Sequence, residues 1–294
     1  MNKQKRRKLI RRIISIVSML GFLICTAALL YPVISDRWNR YLDMQLIAEY
    51  NEIIKNTDPT VYNDAMKEAE EYNRYLMTER RNLITDAQYT HDEKYESLLN
   101  VMNNGMMCYV EIPVIDITEP VYHYSDDISL NKGVGHIHGS SLPVGGLNTH
   151  ALLTGHRGLP NQKFFSDLDK VEIGNRFYVH VLGRVLAYEV YDIKVVLPTD
   201  VSGLLIEEGK DLLSLITCEP YGVNTHRLIV TGRRVPFDEA NVENGLVTVE
   251  KHQVRIDPAV WVALGFMLFF IFIVVNSLVG RYVSRKKSKK GGSA

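Results

Sequence analysis

The stretch SLITCEPYGVNTHRLIVTGRR, residues 214–234, decides how this chain is read, because two β-rich runs flank a polar turn and a cysteine closes the first of them. Leu212, Leu213, Leu215 and Ile216 form an apolar run that ends on Cys218, and residues 219–224 carry the turn formers Pro220, Gly222 and Asn224. A second run, residues 227–235, follows. If the two runs pair antiparallel, the end of one strand faces the start of the next, and Arg227 lies across from Cys218. That spacing leaves three readings of Cys218: core filler, half of a disulfide with Cys108, or a nucleophile. An unperturbed thiol has a pKa of about 8.5, so a nucleophile needs a proton-transfer partner and a donor for the oxyanion. Arg227 could be the donor, since a guanidinium is always charged and offers its N–H groups in a fixed fork. It could equally cap a strand edge or pair with Glu219.

Outward from this hairpin the chain stays β-rich. Strands are expected near residues 107–112, 115–122, 151–154, 176–182, 185–195, 212–217 and 227–235, with Leu182-Gly183-Arg184 as a short hairpin turn. One short helix is expected over residues 164–169. Many strands, frequent turns and few helices point to a mainly β domain, a barrel or a sandwich. Ahead of it, Trp38, Tyr41, Leu42, Leu46, Ile47, Tyr50, Ile53 and Ile54 recur at three- and four-residue spacing. Thr57-Asp58-Pro59 interrupts the stripe, which resumes with Tyr62, Ala65, Met66, Ala69, Tyr72 and Leu76; this predicts two N-terminal helices over residues 36–82. Residues 83–99 read as a loop, residues 100–236 as the β domain, and residues 237–258 as a polar connector.

Two uncharged apolar runs, residues 13–33 and 259–280, are each long enough to cross a bilayer as a helix. Seven basic residues precede the first, in the tail 1–12, and six follow the second, in the tail 281–294. The positive-inside rule then keeps both termini cytoplasmic and the intervening domain outside. The first run exceeds the apolar core of a signal peptide, so an uncleaved anchor is the expectation. The chain is neutral overall, with 34 basic and 34 acidic residues, but thirteen of the basic ones sit in the tails and no acidic residue does. The middle segment therefore carries 21 basic against 34 acidic residues, a net charge of −13. Such a domain repels phosphate, and no nucleic-acid partner is expected.

Nine histidines are candidates for the proton-transfer partner, and five fall between His136 and His180. Their scattered spacing, without HExxH or CxxC, argues against a metal site. His156 ranks first because it follows the apolar run 151–153 and Thr154-Gly155, at a strand end beside a loop. His136, His150 and His226 stay open. A serine hydrolase is disfavoured: there is no GxSxG elbow, and Gly139-Ser140-Ser141 lacks the strand-turn-helix setting. A P-loop is absent, and a non-catalytic surface scaffold remains an alternative in which Cys218 is buried filler.

These residues also carry a family resemblance. Ser214-Leu215-Ile216-Thr217-Cys218 resembles the TLxTC signature of sortases, the cysteine transpeptidases of Gram-positive surfaces, with Ser in place of the first Thr. Asn224-Thr225-His226-Arg227-Leu228 resembles the segment bearing their active-site arginine. The run from Asn148-Thr149-His150-Ala151 to Thr154-Gly155-His156-Arg157-Gly158-Leu159-Pro160 resembles the segment bearing their histidine. Gly145-Gly146, GHIHGSSLP at 135–143 and the two apolar spans resemble the class C, pilus-assembling branch. The resemblance implies an eight-stranded β-barrel with Cys218 as nucleophile, His156 as general acid/base and Arg227 as donor to the oxyanion or substrate. It implies cleavage of the Thr–Gly bond of an LPxTG-like sorting signal on a pilin, then resolution of the thioester by a lysine amine of the next pilin, with no cofactor. Anchoring to cell-wall precursor is the alternative within the same chemistry. Class C members carry an Asp-Pro-aromatic lid; here Thr85-Asp86-Ala87-Gln88-Tyr89 keeps an Asp and an aromatic but no proline, so Asp86 and Tyr89 are the lid candidates. Residues 198–210 are expected to influence substrate choice. Since a disulfide would abolish the nucleophile, the resemblance also argues against a Cys108–Cys218 bridge.

Overall fold

The computed structural model describes residues 3–79 and 92–237, together with Gly265, Met267 and Phe270. Two compact units divide the chain, one of residues 1–37 with 253–294, the other of residues 38–252. In the first unit the chain is helical from Lys3, within helix α1 (Lys3–Asn56), and its apolar side chains are exposed, including Ile14, Val17, Leu20, Ile24 and Leu29. The stretch from Arg12 is long and apolar enough to cross a membrane. The second expected span, residues 259–280, lies outside the described residues apart from three positions, as do the connector beyond residue 237 and the lid candidates Asp86 and Tyr89.

Helix α1 runs through Pro32 to Asn56. Helix α2 (Pro59–Glu79) starts after Thr57-Asp58, with Pro59 at its first position, where a missing N–H costs no helical bond. Only part of the apolar stripe on α1 is covered. Ile47 and Tyr50 are buried, whereas Trp38, Tyr41 and Leu42 are exposed. Tyr50 fixes this end of the helix, accepting from the Leu182 N–H at 2.9 Å and donating to the Met107 carbonyl at 3.3 Å. Tyr62, Met66, Ala69, Tyr72 and Leu76 on α2 join the main apolar cluster. Buried Asn73 acts there as a backbone surrogate, accepting from the Leu142 N–H at 2.7 Å and donating to its carbonyl at 3.1 Å.

The β domain is a closed eight-stranded barrel, β1 (Met106–Ile112), β2 (Ile117–His123), β3 (Val134–His136), β4 (Thr149–Thr154), β5 (Arg176–Val181), β6 (Arg184–Val196), β7 (Asp211–Glu219) and β8 (His226–Val235). Their order around the barrel is β1-β2-β3-β4-β7-β8-β6-β5. Two pairs, β2–β3 and β4–β7, are parallel and the rest antiparallel. Period-2 alternation fills the interior: Cys108, Val110 and Ile112 on β1, Ala151 and Leu153 on β4, Leu213 and Leu215 on β7, Leu228 and Val230 on β8. The β5–β6 hairpin turns on Leu182 and Gly183, both at positive φ (45° and 76°), the pair of angles a type I′ turn requires.

Three local expectations fail, each for a physical reason. Strand β3 is three residues long and has no alternation to read. Residues 164–169 form turns ending in a 3-10 turn at Leu168–Lys170 instead of a helix, because Phe164 takes a positive φ of 40° that a right-handed helix forbids. Within the expected loop, helix α3 (Glu93–Ser97) forms, nucleated by the Asp92 side chain accepting from the Tyr95 N–H at 3.0 Å. A second unforeseen turn of helix, α4 (Asp127–Leu130), is capped in the same way by Asp126.

Tyr95 of α3 lies at the centre of a buried cluster, its hydroxyl 2.7 Å from Nδ1 of His136, whose Nε2 donates to the Ser141 carbonyl at 2.8 Å. Burial holds His136 neutral, pushing its pKa down to about 3, and burial also lowers His123 and His150. Below pH 6.5 the unfolded chain protonates His136 and the folded one does not, so the stability it contributes is present at neutral pH and falls as pH drops from about 6.5 toward 3, by about 1.4 kcal/mol per unit, with His123 and His150 acting in the same direction. Denaturant midpoints measured from pH 7.5 to pH 5 should fall, and His136→Gln should flatten the slope; an unchanged slope in the variant would rule out His136 as its source. Asn73→Ala, which leaves the buried Leu142 N–H unpaired while the Leu142 carbonyl keeps the Val144 N–H at 2.8 Å, should cost about 1–3 kcal/mol by urea denaturation. A loss under about 0.5 kcal/mol would mean that water replaces the amide.

Candidate active site

Three adjacent strands, β4, β7 and β8, carry the residues singled out by the sequence. Alternation along each strand separates two faces. Ala151, Leu153, Leu213, Leu215, Leu228 and Val230 point into the barrel, while Leu152, Ile216 and Ile229 join a separate apolar cluster with Leu204, Ile137 and Val196. On that same outer side Ser214 and Thr231 share a hydrogen bond at 2.8 Å. Two residues beyond Ile216 and two before Ile229, Cys218 and Arg227 fall on the outer face as well, and they are direct cross-strand partners. The pairing of Cys and Arg expected from spacing is thus the register observed.

The histidine arrives through the parallel pair β4–β7. Its ladder runs from Thr149↔Asp211 to Thr154↔Ile216 and is extended by Gly155 N–H donating to the Ile216 carbonyl at 3.0 Å. Two residues further along the two segments come His156, just past the end of β4, and Cys218, still on β7. Two local devices hold this extension in place. Thr217 donates its hydroxyl to the Gly155 carbonyl at 2.7 Å. Gly155 also packs under the Phe165 ring, where a Cβ would come within 2.9 Å of a ring carbon, so only glycine fits. His156, Cys218 and Arg227 are all half-buried.

The remaining histidines are committed elsewhere. His136 is buried behind Tyr95 and Ser141. His150 donates from Nδ1 to the Leu205 carbonyl at 2.9 Å and accepts at Nε2 from Ser214 Oγ at 2.8 Å, which ties the β6–β7 loop to the barrel. His138 lies 3.4 Å from Asp92, His180 2.9 Å from Glu111, and His226 2.9 Å from the Thr225 hydroxyl. Among the described residues the His156 ring makes no hydrogen bond, so both its nitrogens are available.

Arg227 does not pair with Glu219. Its Nη1 donates to the carbonyls of Asn224 and His226 at 3.3 and 3.1 Å, which orients the guanidinium and leaves further N–H groups for a ligand. Glu219 is instead taken by Arg157, an interaction that no sequence motif announced. Cys108 lies inside the barrel, fully buried, and burial raises its thiol well above the usual range; neither it nor Cys218 is bridged. Among the described residues no three His, Cys, Asp or Glu side chains converge on a point that could hold a metal ion. The site is therefore a thiol, an unengaged imidazole and an oriented guanidinium beside an apolar bed, a set suited to acyl transfer.

Known proteins share this arrangement of sequence and fold. The sequence model of the Sortase domain matches residues 110–235, which spans β1 to β8. Sortase D of Bacillus subtilis is 31% identical over 129 residues, 43% of this chain and 62% of that protein, so the chain spans about three fifths of this curated relative. Among solved structures, sortase C1 from Streptococcus agalactiae superposes with a TM-score of 0.61 at 40% identity, covering 66% of this chain and 100% of that one. Sortase C from Streptococcus pneumoniae gives 0.60 at 39% identity, covering 66% and 97%. With the Sortase model matching residues 110–235 and solved sortases of 39–40% identity covered almost end to end, the chain belongs to the sortase family.

Proposed function

We propose that this chain is a membrane-anchored cysteine transpeptidase of the class C type that joins pilin subunits. The observation that carries the reading is the direct pairing of Cys218 with Arg227 across β7 and β8, with the unengaged imidazole of His156 two residues past the end of neighbouring β4. In the first step the Cys218 thiolate attacks the carbonyl carbon of the Thr–Gly bond in an LPxTG-like sorting signal. Arg227 donates to the oxyanion, and His156 gives its proton to the departing glycine amine, leaving the pilin threonine as a thioester on Cys218. In the second step His156 takes a proton from the lysine amine of the next pilin as that nitrogen attacks the thioester. The thiolate leaves, and an isopeptide bond remains. Both steps are acyl transfers, so bond energy is carried through the thioester without a nucleotide or redox cofactor.

Several features support the pilin substrate and the surface location. The Streptococcus pneumoniae sortase C has been described for its catalysis and pilin substrate specificity. The apolar cluster of Leu152, Leu204, Ile216 and Ile229 forms a bed beside the Cys218–Arg227 pair, and Leu204 comes from the β6–β7 loop, within residues 198–210, which we assign to sorting-signal choice. The apolar helix α1 would anchor the chain in the membrane, with the barrel on the extracellular side and both tails cytoplasmic. Asp86 and Tyr89 remain the proposed lid residues.

Full-length chain in detergent, incubated with a sorting-signal peptide, should gain the mass of an acyl adduct on Cys218. Cys218→Ala should abolish it together with high-molecular-weight pilin ladders, and ladders made by that variant would sink the proposal. Arg227→Ala should slow thioester formation by about 100- to 1,000-fold, the loss expected for one oxyanion donor. Supplying pilin without a lipid-linked acceptor separates the two transpeptidases: pilin–pilin bonds identify a polymerase, and hydrolysis alone identifies an enzyme that anchors proteins to cell-wall precursor. A scaffold would show no adduct and would tolerate loss of the thiol.

A further inference from the structure

The placing of His156 and Cys218 depends on chain beyond the end of the β4–β7 ladder, and what holds it there is found on the opposite side of the same two segments. Arg157 follows His156, and Glu219 follows Cys218. Successive residues of extended chain project to opposite sides, so when His156 and Cys218 face outward, Arg157 and Glu219 meet behind them. They do meet: Nη1 of Arg157 donates to Oε2 of Glu219. The Arg157 side chain is only 5% exposed, and Nη2 reaches Asp169 Oδ2 at 2.9 Å. Asp169 sits on the 3-10 turn Leu168–Lys170, which buried Leu168 pins to the core. The Tyr221 ring, 5.8 Å from the guanidinium, covers it from the 219–226 turn. Arg157 thus joins three segments: the histidine loop, the end of the cysteine strand, and a turn anchored in the core.

We propose that Arg157 and Glu219 are positioning residues that set the separation of His156 and Cys218, acting as a clamp behind the site. The inference rests on the reading of that pair as the acyl-transfer machinery. The backbone bond from Gly155 and the hydroxyl of Thr217 stop at residue 155. From residue 156 onward the histidine loop is tied to the following turn, His156 accepting at its carbonyl from the Phe165 N–H at 3.1 Å and Gly158 donating to Ser166 Oγ at 3.0 Å, and the ion pair links it sideways to the cysteine strand. A buried charge pair adds little net stability compared with apolar packing, but its directional fork discriminates strongly between neighbouring registers. The two-pronged geometry also explains the residue type: lysine could reach one carboxylate as a point charge, while the arginine fork bridges Glu219 through Nη1 and Asp169 through Nη2.

The test uses the full chain in detergent with Arg157→Gln, Glu219→Gln and the double variant. Each single change should lower kcat for acyl transfer from an LPxTG-type peptide by about ten- to a hundredfold, the scale expected of small misplacements, with KM within about twofold. The double variant should be no worse than Arg157→Gln alone, because that change already removes the link to Glu219. Cys218 alkylation by iodoacetamide, followed against pH, reports the thiol and its imidazole without any peptide substrate. The singles should shift its midpoint relative to the parent, and Arg157→Lys, which keeps a charge opposite Glu219 but gives up the link to Asp169, should fall between Arg157→Gln and the parent. Losses that multiply in the double variant, or an alkylation profile unmoved by loss of the pair, would overturn the clamp. If Arg157→Gln does not fold, the Glu219→Gln and Arg157→Lys profiles carry the same decision. Should no peptide acylate the parent, the sortase reading of the substrate fails, yet the alkylation profile still decides whether the clamp exists.

Discussion

Parallel pairing of β4 with β7 is the constraint on which the rest of the site depends. The strands are 62 residues apart in the chain, and no local signal joins them. Their register is set by apolar alternation: Ala151 and Leu153 must share the barrel interior with Leu213 and Leu215. A slip of one residue in β7 would turn Leu213 and Leu215 outward and carry Cys218 toward the core in place of Glu219. Packing of aliphatic side chains therefore fixes, several residues away, which face the thiol occupies. The antiparallel β7–β8 hairpin then adds Arg227 at no further topological cost, because a short turn dictates the partner of Cys218.

Chemical availability follows from what the fold does with its other polar groups. His136 and His150 are buried and bonded at both ring nitrogens, and each bond serves the barrel or a loop. Desolvation makes them neutral acceptors and donors, unsuited to trade protons near neutrality. His156 escapes this use because it stands past the end of its strand, half-buried. Arg227 likewise escapes neutralisation: its guanidinium donates to the carbonyls of Asn224 and His226, while the carboxylate of Glu219 is taken by Arg157.

Much of this was legible in the residues. The hairpin of residues 214–234, the two-helix pattern broken at Thr57-Asp58-Pro59 and seven of the eight strands follow from periodicity and turn chemistry. The misses share a cause, which is brevity: β3, α3 and α4 span three to five residues each, too few to show a period. Their positions are fixed by single contacts, such as the side-chain caps of Asp92 and Asp126. The stripe on α1 misled in the other direction. Its spacing is uniform, but Trp38, Tyr41 and Leu42 are exposed where the barrel no longer covers them.

By itself the sequence determined the period-2 pattern that makes a barrel, the apolar helix at the N-terminal end, and the placing of Cys218 opposite Arg227, because each is a matter of neighbours along the chain. Spacing left four candidate histidines, and only the tertiary structure shows that His136, His150 and His226 are bonded to other groups while the His156 ring is unengaged among the described residues, since partners such as Tyr95, Leu205 and Ser214 come from distant segments. Tertiary structure also decided that Arg157 and Glu219 stand behind the site. Their contact exists because two distant segments run side by side with the same alternation, a coincidence of register that no single stretch of sequence contains.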